Sequence, residues 1–102
     1  MTRWIKACKL DDVGDGSMFG FSHEDKKILL ANIGGKIHAV DNICTHADAD
    51  LLTGFLSEQG VRCPLHLSVF DLETGCPQNP PAEAPLHVYN VKIDDREIYV
   101  EV

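Results

Sequence analysis

Cys44-Thr45-His46 and Cys63-Pro64-Leu65-His66 each place a sulfur donor beside a nitrogen donor, and sixteen residues separate the two pairs. One residue lies between the donors of the first pair and two between those of the second. Two thiolates can hold one iron, and two imidazoles the other, of a mixed-ligand [2Fe–2S] centre. Each short stretch supplies one ligand of each kind, so two facing loops would clamp the cluster between them. The chemistry this implies is one-electron transfer.

Structural zinc offers another use for two Cys and two His, but its pairs commonly read Cys-x(2–4)-Cys followed by His-x(3–5)-His. Here both pairs are mixed. Five His and four Cys in 102 residues also fall close together by chance. Two ordered Cys–His pairs, the second embedded in Cys-Pro-Leu-His, weigh against that reading.

The stretch from Asp41 to Asp71, DNICTHADADLLTGFLSEQGVRCPLHLSVFD, resembles the cluster-binding segment of Rieske proteins. Their pattern is Cys-x-His, a spacer, then Cys-x-x-His. The flanks are similar too, with a Gly-Gly hairpin and Val40-Asp41 ahead of the first pair and Phe70-Asp71 after the second. In length and terminal strands the chain resembles the small Rieske ferredoxins that serve bacterial ring-hydroxylating dioxygenases in aromatic hydrocarbon catabolism.

This resemblance implies a ligand set of Cys44, His46, Cys63 and His66, one [2Fe–2S] cluster per chain. Cys44 and Cys63 would bind the inner iron, and His46 and His66 the outer one near solvent, where a partner can collect the electron. It implies no catalysis by the chain alone. Electrons would come from a flavin-containing, NAD(P)H-dependent reductase and leave, in transient encounters, for the Rieske centre of a terminal oxygenase. A Rieske-like small subunit of a reductase such as nitrite reductase shares the fold but commonly lacks the ligands; a redox protein with another acceptor is a further reading.

Quinol-oxidising Rieske proteins join their two ligand loops by a disulfide. The matching positions here look like Ala49 and Leu65, so that bridge cannot form. The same type carries a Ser two residues after the second His, bonded to a cluster sulfur, and a Tyr two further on. Here these positions are Ser68 and Phe70, so one of the two potential-raising donors remains; a Ser68 facing solvent is the alternative. Pro77, Pro80 and Pro81 resemble the proline loop that covers the cluster. Leu65, Leu67 and Val69 could shield the cluster or rim a docking surface.

A formal charge of −7 argues against nucleic acid, whose phosphates need a basic patch. It suits steering toward basic docking surfaces. No apolar run approaches the roughly 20 residues of a membrane span, and MTRWIKACKL is too short and too interrupted by Lys for a signal peptide. A cytoplasmic, monomeric protein is expected. In a reducing cytoplasm Cys8 and Cys76 are expected as free thiols, Cys8 in the first strand and Cys76 in a loop. His23, His38 and His87 read as ordinary strand or turn residues, and Asp48, Asp50 and Glu58 as solvated charge.

The elements that must position the ligands read as all-β, and the resemblance implies a Rieske fold with an antiparallel β-sandwich or incomplete-barrel base. Apolar or alternating runs predict strands at 3–9, 17–22, 26–33, 36–40, 86–93 and 97–102. Gly34-Gly35 and Asp94-Asp95-Arg96 predict hairpins. Between them, residues 42–85 hold the four candidate ligands and all five prolines. Short strands are expected there at 51–52, 55–56, 61–62 and 68–71. The whole chain, 1–102, is then one Rieske domain, its base formed by about 1–41 and 86–102 and its cluster-binding subdomain by about 42–85.

Overall fold

The computed structural model describes residues 3–24, 26–43, 50–63, 68–78 and 85–102. Among the described residues ten strands run in chain order: β1 (Trp4–Lys9), β2 (Met18–His23), β3 (Lys26–Ile33), β4 (Lys36–Asp41), β5 (Phe55–Ser57), β6 (Gly60–Arg62), β7 (Val69–Phe70), β8 (Val88–Tyr89), β9 (Val91–Asp94) and β10 (Glu97–Glu101). They form three antiparallel sheets, ordered β1-β10-β9, β2-β3-β4-β8 and β5-β6-β7. Among the described residues the helical elements are two short 3₁₀ turns, Leu10–Asp12 and Leu51–Thr53. No helix among them is long and apolar enough to cross a membrane.

The β3 strand, KKILLANI, explains how the sheets stack. Successive side chains of a strand point to opposite faces, yet Ile28, Leu29, Leu30 and Ala31 are all fully buried. Leu29 and Ala31 join one apolar cluster with Val40, Leu51, Val61, Cys63, Phe70, Leu72 and Leu86. Ile28 and Leu30 join another, with Cys8, Val13, Ile37, Ala39, Tyr89, Ile98 and Val100. The four-stranded sheet is therefore covered on both faces. One face meets the β1-β10-β9 sheet and the other the β5-β6-β7 sheet. A strand covered in this way reads as a continuous apolar run, and burying each such Leu or Ile contributes on the order of 1.5–3 kcal/mol.

Both predicted hairpins form. Gly34 and Gly35 take φ of 62° and 90° and connect β3 to β4 in the Ile33↔Lys36 register. Positive φ at both central residues gives the turn twist that matches the strands. Asp15 Oδ1 accepts from Gly34 N at 2.8 Å. Asp95 and Arg96 make the equivalent turn at φ 50° and 62°, between β9 and β10 in the Glu97↔Asp94 register.

Two expectations are corrected. The pair Leu51-Leu52 is not a strand but the start of a 3₁₀ turn, Leu51–Thr53. Asp50 O accepts from Thr53 N at 3.1 Å and from Thr53 Oγ1 at 2.8 Å, which curls the chain. The strand expected over 86–93 is broken at Asn90. Its first part, β8, pairs with β4, and its second, β9, pairs with β10 in a different sheet. Asn90 holds the corner, its carbonyl accepting from Glu101 N at 2.9 Å and its Nδ2 donating to Glu101 Oε1 at 2.9 Å.

Candidate metal centre

Cys63 follows directly on β6 and is 1% exposed. Register fixes its place: Val61 opposes Phe70 and Arg62 opposes Val69, and Cys63 N then donates to Ser68 O at 3.0 Å. Residues 63 and 68 thus close the mouth of the segment that carries His66. His66 itself, with Leu65 and Leu67, lies outside the described residues, as do Cys44, His46, Asp48 and Ala49.

The segment carrying Cys44 and His46 is bracketed in the same manner. Ile43 and Asp50 form an antiparallel bridge, and Leu51 N donates to Asn42 O at 2.7 Å. Leu51 is fully buried in the cluster that also contains Cys63, Phe70, Leu72 and Leu86. One apolar core therefore anchors a base of each donor-bearing segment. Side chains packed to crystal-like density leave little play, so the two bases are fixed relative to each other.

Two glycines permit this approach. A Cβ on Gly54 would lie 2.0 Å from Arg62 O, and one on Gly60 would lie 1.9 Å from Phe70 O, with Gly60 also at φ 137°. Any side chain at these positions would push β5 or β7 off the strand that leads into Cys63. A third segment lies along β7. Pro77 bridges Phe70, Gln78 N donates to Val69 O at 2.7 Å, and Asp71 N donates to Cys76 O at 2.9 Å. Pro77 is thereby stitched to the strand after the second donor pair, while Pro80 and Pro81 lie outside the described residues.

Ser68 is fully buried, so the solvent-facing alternative is ruled out, and Val69 is buried rather than a rim residue. Cys8 and Cys76 are free thiols, the first buried in β1 and the second exposed. Burial, helped by nearby Asp12, pushes the Cys8 thiol up to about 11. Asp50 and Glu58 are exposed. Of the other histidines, His87 meets the Tyr89 ring edge-on with centroids 4.5 Å apart. Burial and neighbouring Lys36 lower the pKa of His38. His23 Nε2 is 3.9 Å from Glu24 Oε1.

Among the described residues no three His, Cys, Asp or Glu side chains gather to hold a metal ion. A centre with that many donors must draw on the segments where Cys44, His46 and His66 lie. The residues present fit such a centre. Cys63 is a free, water-excluded cysteine at the closed mouth of a hairpin, and the described residues that bracket the other donor-bearing segments, Ile43 with Asp50 and Cys63 with Ser68, are paired across each base. Sequence reasoning missed Asn42, whose signal was a polar residue next to a donor pair, and the packing roles of Gly54 and Gly60.

Comparison with known proteins agrees. A Rieske [2Fe-2S] domain matches residues 3–90. The ferredoxin component of the naphthalene 1,2-dioxygenase system of Pseudomonas putida is 34% identical over 100 residues, 98% of this chain and 96% of that protein. The ferredoxin of Sphingomonas yanoikuyae B1 superposes with a TM-score of 0.92 at 27% identity, covering 98% of this chain and 99% of the other. A ferredoxin solved in complex with the oxygenase of carbazole 1,9a-dioxygenase gives 0.90 at 30% identity, covering 95% and 91%. Sheet order, the closed hairpin around Cys63 and the match across nearly the whole length converge: the chain belongs to the Rieske [2Fe-2S] domain family.

Proposed function

We propose that this protein is a one-electron carrier that delivers electrons to the terminal oxygenase of a ring-hydroxylating dioxygenase system. The observation that carries the reading is its likeness, end to end in both chains, to a dioxygenase ferredoxin component, with Cys44-x-His46 and Cys63-x-x-His66 intact. The inferred ligands are Cys44 and Cys63 through sulfur and His46 and His66 through one ring nitrogen, held by a subdomain of about residues 42–85. When bound, the [2Fe–2S] cluster takes up and releases one electron. The chain's own part is to exclude water from Cys63, hold both donor segments on one core and present the His-bearing end to a partner.

The electron source would be a flavin-containing reductase using NADH or NADPH, and encounters with both partners would be brief, as suits a monomeric cytoplasmic shuttle. The charge of −7 favours partners with basic docking surfaces. Reconstitution tests the proposal: cluster-loaded protein, an NADH-dependent flavoprotein reductase and a ring-hydroxylating oxygenase are combined with an aromatic substrate. Product formation that depends on this protein is expected, with a reduction potential near the low end of the Rieske range, about −150 mV. A protein reduced by the reductase that never supports oxygenase turnover, or a clearly positive potential that falls with pH near neutrality, would sink the assignment.

A further inference from the structure

Two buried asparagines, each 7% exposed, sit at opposite ends of the β3–β4 hairpin. At the turn end, Asn32 Nδ2 donates to Val13 O at 2.8 Å and Asn32 Oδ1 accepts from Gly35 N at 2.9 Å. At the other end, Asn42 Oδ1 accepts from Leu52 N at 2.9 Å and Asn42 Nδ2 donates to Asp50 Oδ1 at 3.4 Å. The Asn42 backbone adds two bonds, its N–H donating to Lys27 O at 2.9 Å and its carbonyl accepting from Leu51 N at 2.7 Å.

Asn42 therefore grips β3 on one side and residues 50–52 on the other. Between those grips runs the segment that carries Cys44 and His46. Leu51, held by the same residue, lies fully buried in the cluster that contains Cys63. We propose that Asn42 is a positioning residue for the metal centre, locking both ends of the Cys44/His46 segment to the core that fixes Cys63. The inference rests on the ligand assignment proposed above. Its physical basis is that buried amide groups are held to their partners because water cannot replace them, and that residues behind the ligands set ligand geometry.

The test subjects three variants and wild type to the same cluster loading and reads the EPR g-values of the reduced protein and the rate of bleaching by EDTA. Asn42→Ala should shift the g-values and bleach about tenfold faster, the scale of outer-shell effects on metal sites. Asn32→Ala, an equally buried asparagine at the far end of the same hairpin, should lower the melting temperature but leave the EPR spectrum and bleaching rate at wild-type values. The charge-conserving exchange Asn42→Asp with Asp50→Asn keeps an acceptor for Leu52 N–H and a donor across the pair. It should restore both readouts, and should do so even where Asn42→Ala holds no cluster. The proposal is overturned by an Asn42→Ala protein with wild-type spectrum and bleaching, by an Asn32→Ala protein that changes equally, or by an exchange that restores nothing. A wild-type protein lacking a mixed-ligand [2Fe–2S] signal would instead overturn the ligand assignment beneath it.

Discussion

The Tyr89 hydroxyl donates to Asp41 Oδ1 at 2.6 Å, tying β8 to the last residue of β4, immediately before Asn42. Burial, and then the bond to the Asp41 carboxylate, raise the phenol pKa well above its ordinary value. A neutral group whose folded pKa is raised contributes its full stability below the unfolded value, about 10, and loses it as pH climbs toward the folded value. Tyr89→Phe should cost about 1–2 kcal/mol at neutral pH and make the alkaline loss of stability shallower. Urea denaturation at pH 7 and at pH 10.5 checks both, and an unchanged alkaline slope would remove Tyr89 as its source.

Gly60→Ala sets a Cβ 1.9 Å from Phe70 O in a backbone at φ 137°. The β6–β7 pairing must open to admit it. A loss of roughly 2–3 kcal/mol is expected, together with weaker cluster retention because Cys63 follows that strand. Thermal unfolding and the iron content of the purified variant measure the two effects.

The cysteines divide by role. Cys63→Ala should abolish the visible spectrum of the loaded protein, whereas Cys8→Ala and Cys76→Ala should keep it. With a thiol reagent at pH 8, exposed Cys76 should react within seconds to minutes. Cys8, buried and raised to about 11, should react only on unfolding. Rapid labelling of Cys8 in the folded protein would contradict its placement in the core.

Ser68 is fully buried at the mouth of the hairpin, its carbonyl accepting from Cys63 N at 3.0 Å. A hydroxyl donor held out of water beside a metal centre stabilises the more negative, reduced state. Ser68→Ala should therefore lower the reduction potential, as protein-film voltammetry would show. An unchanged potential would mean that the hydroxyl does not act on the centre.

The strand bounds 26–33 were legible because a strand buried on both faces has to be apolar at successive positions, and the Gly34-Gly35 pair marks its end without tertiary help. The same local logic failed at Leu51-Leu52, where two apolar residues carry no period and a 3₁₀ turn is imposed by bonds from Asn42 and Asp50. It failed again at Asn90. An alternating run gives no sign that its two halves pair with different sheets, since the first half's partner, β4, lies far upstream in the sequence while the second pairs with the adjacent β10.

The sequence by itself carried the expectation of a donor set, Cys44, His46, Cys63 and His66, because ligand chemistry depends on residue type and spacing along the chain, and both are written there. It also determined the all-β character and the two hairpins, which follow from local periodicity and from turn residues. Tertiary structure alone decided that Ser68 and Cys63 share a sealed hairpin mouth and that Gly54 and Gly60 stand against passing carbonyls. It alone decided, too, that one asparagine clamps both ends of a ligand segment. Those relationships join residues near one another in sequence whose contact comes from strand register and burial against a common core, which residue type and local periodicity do not encode.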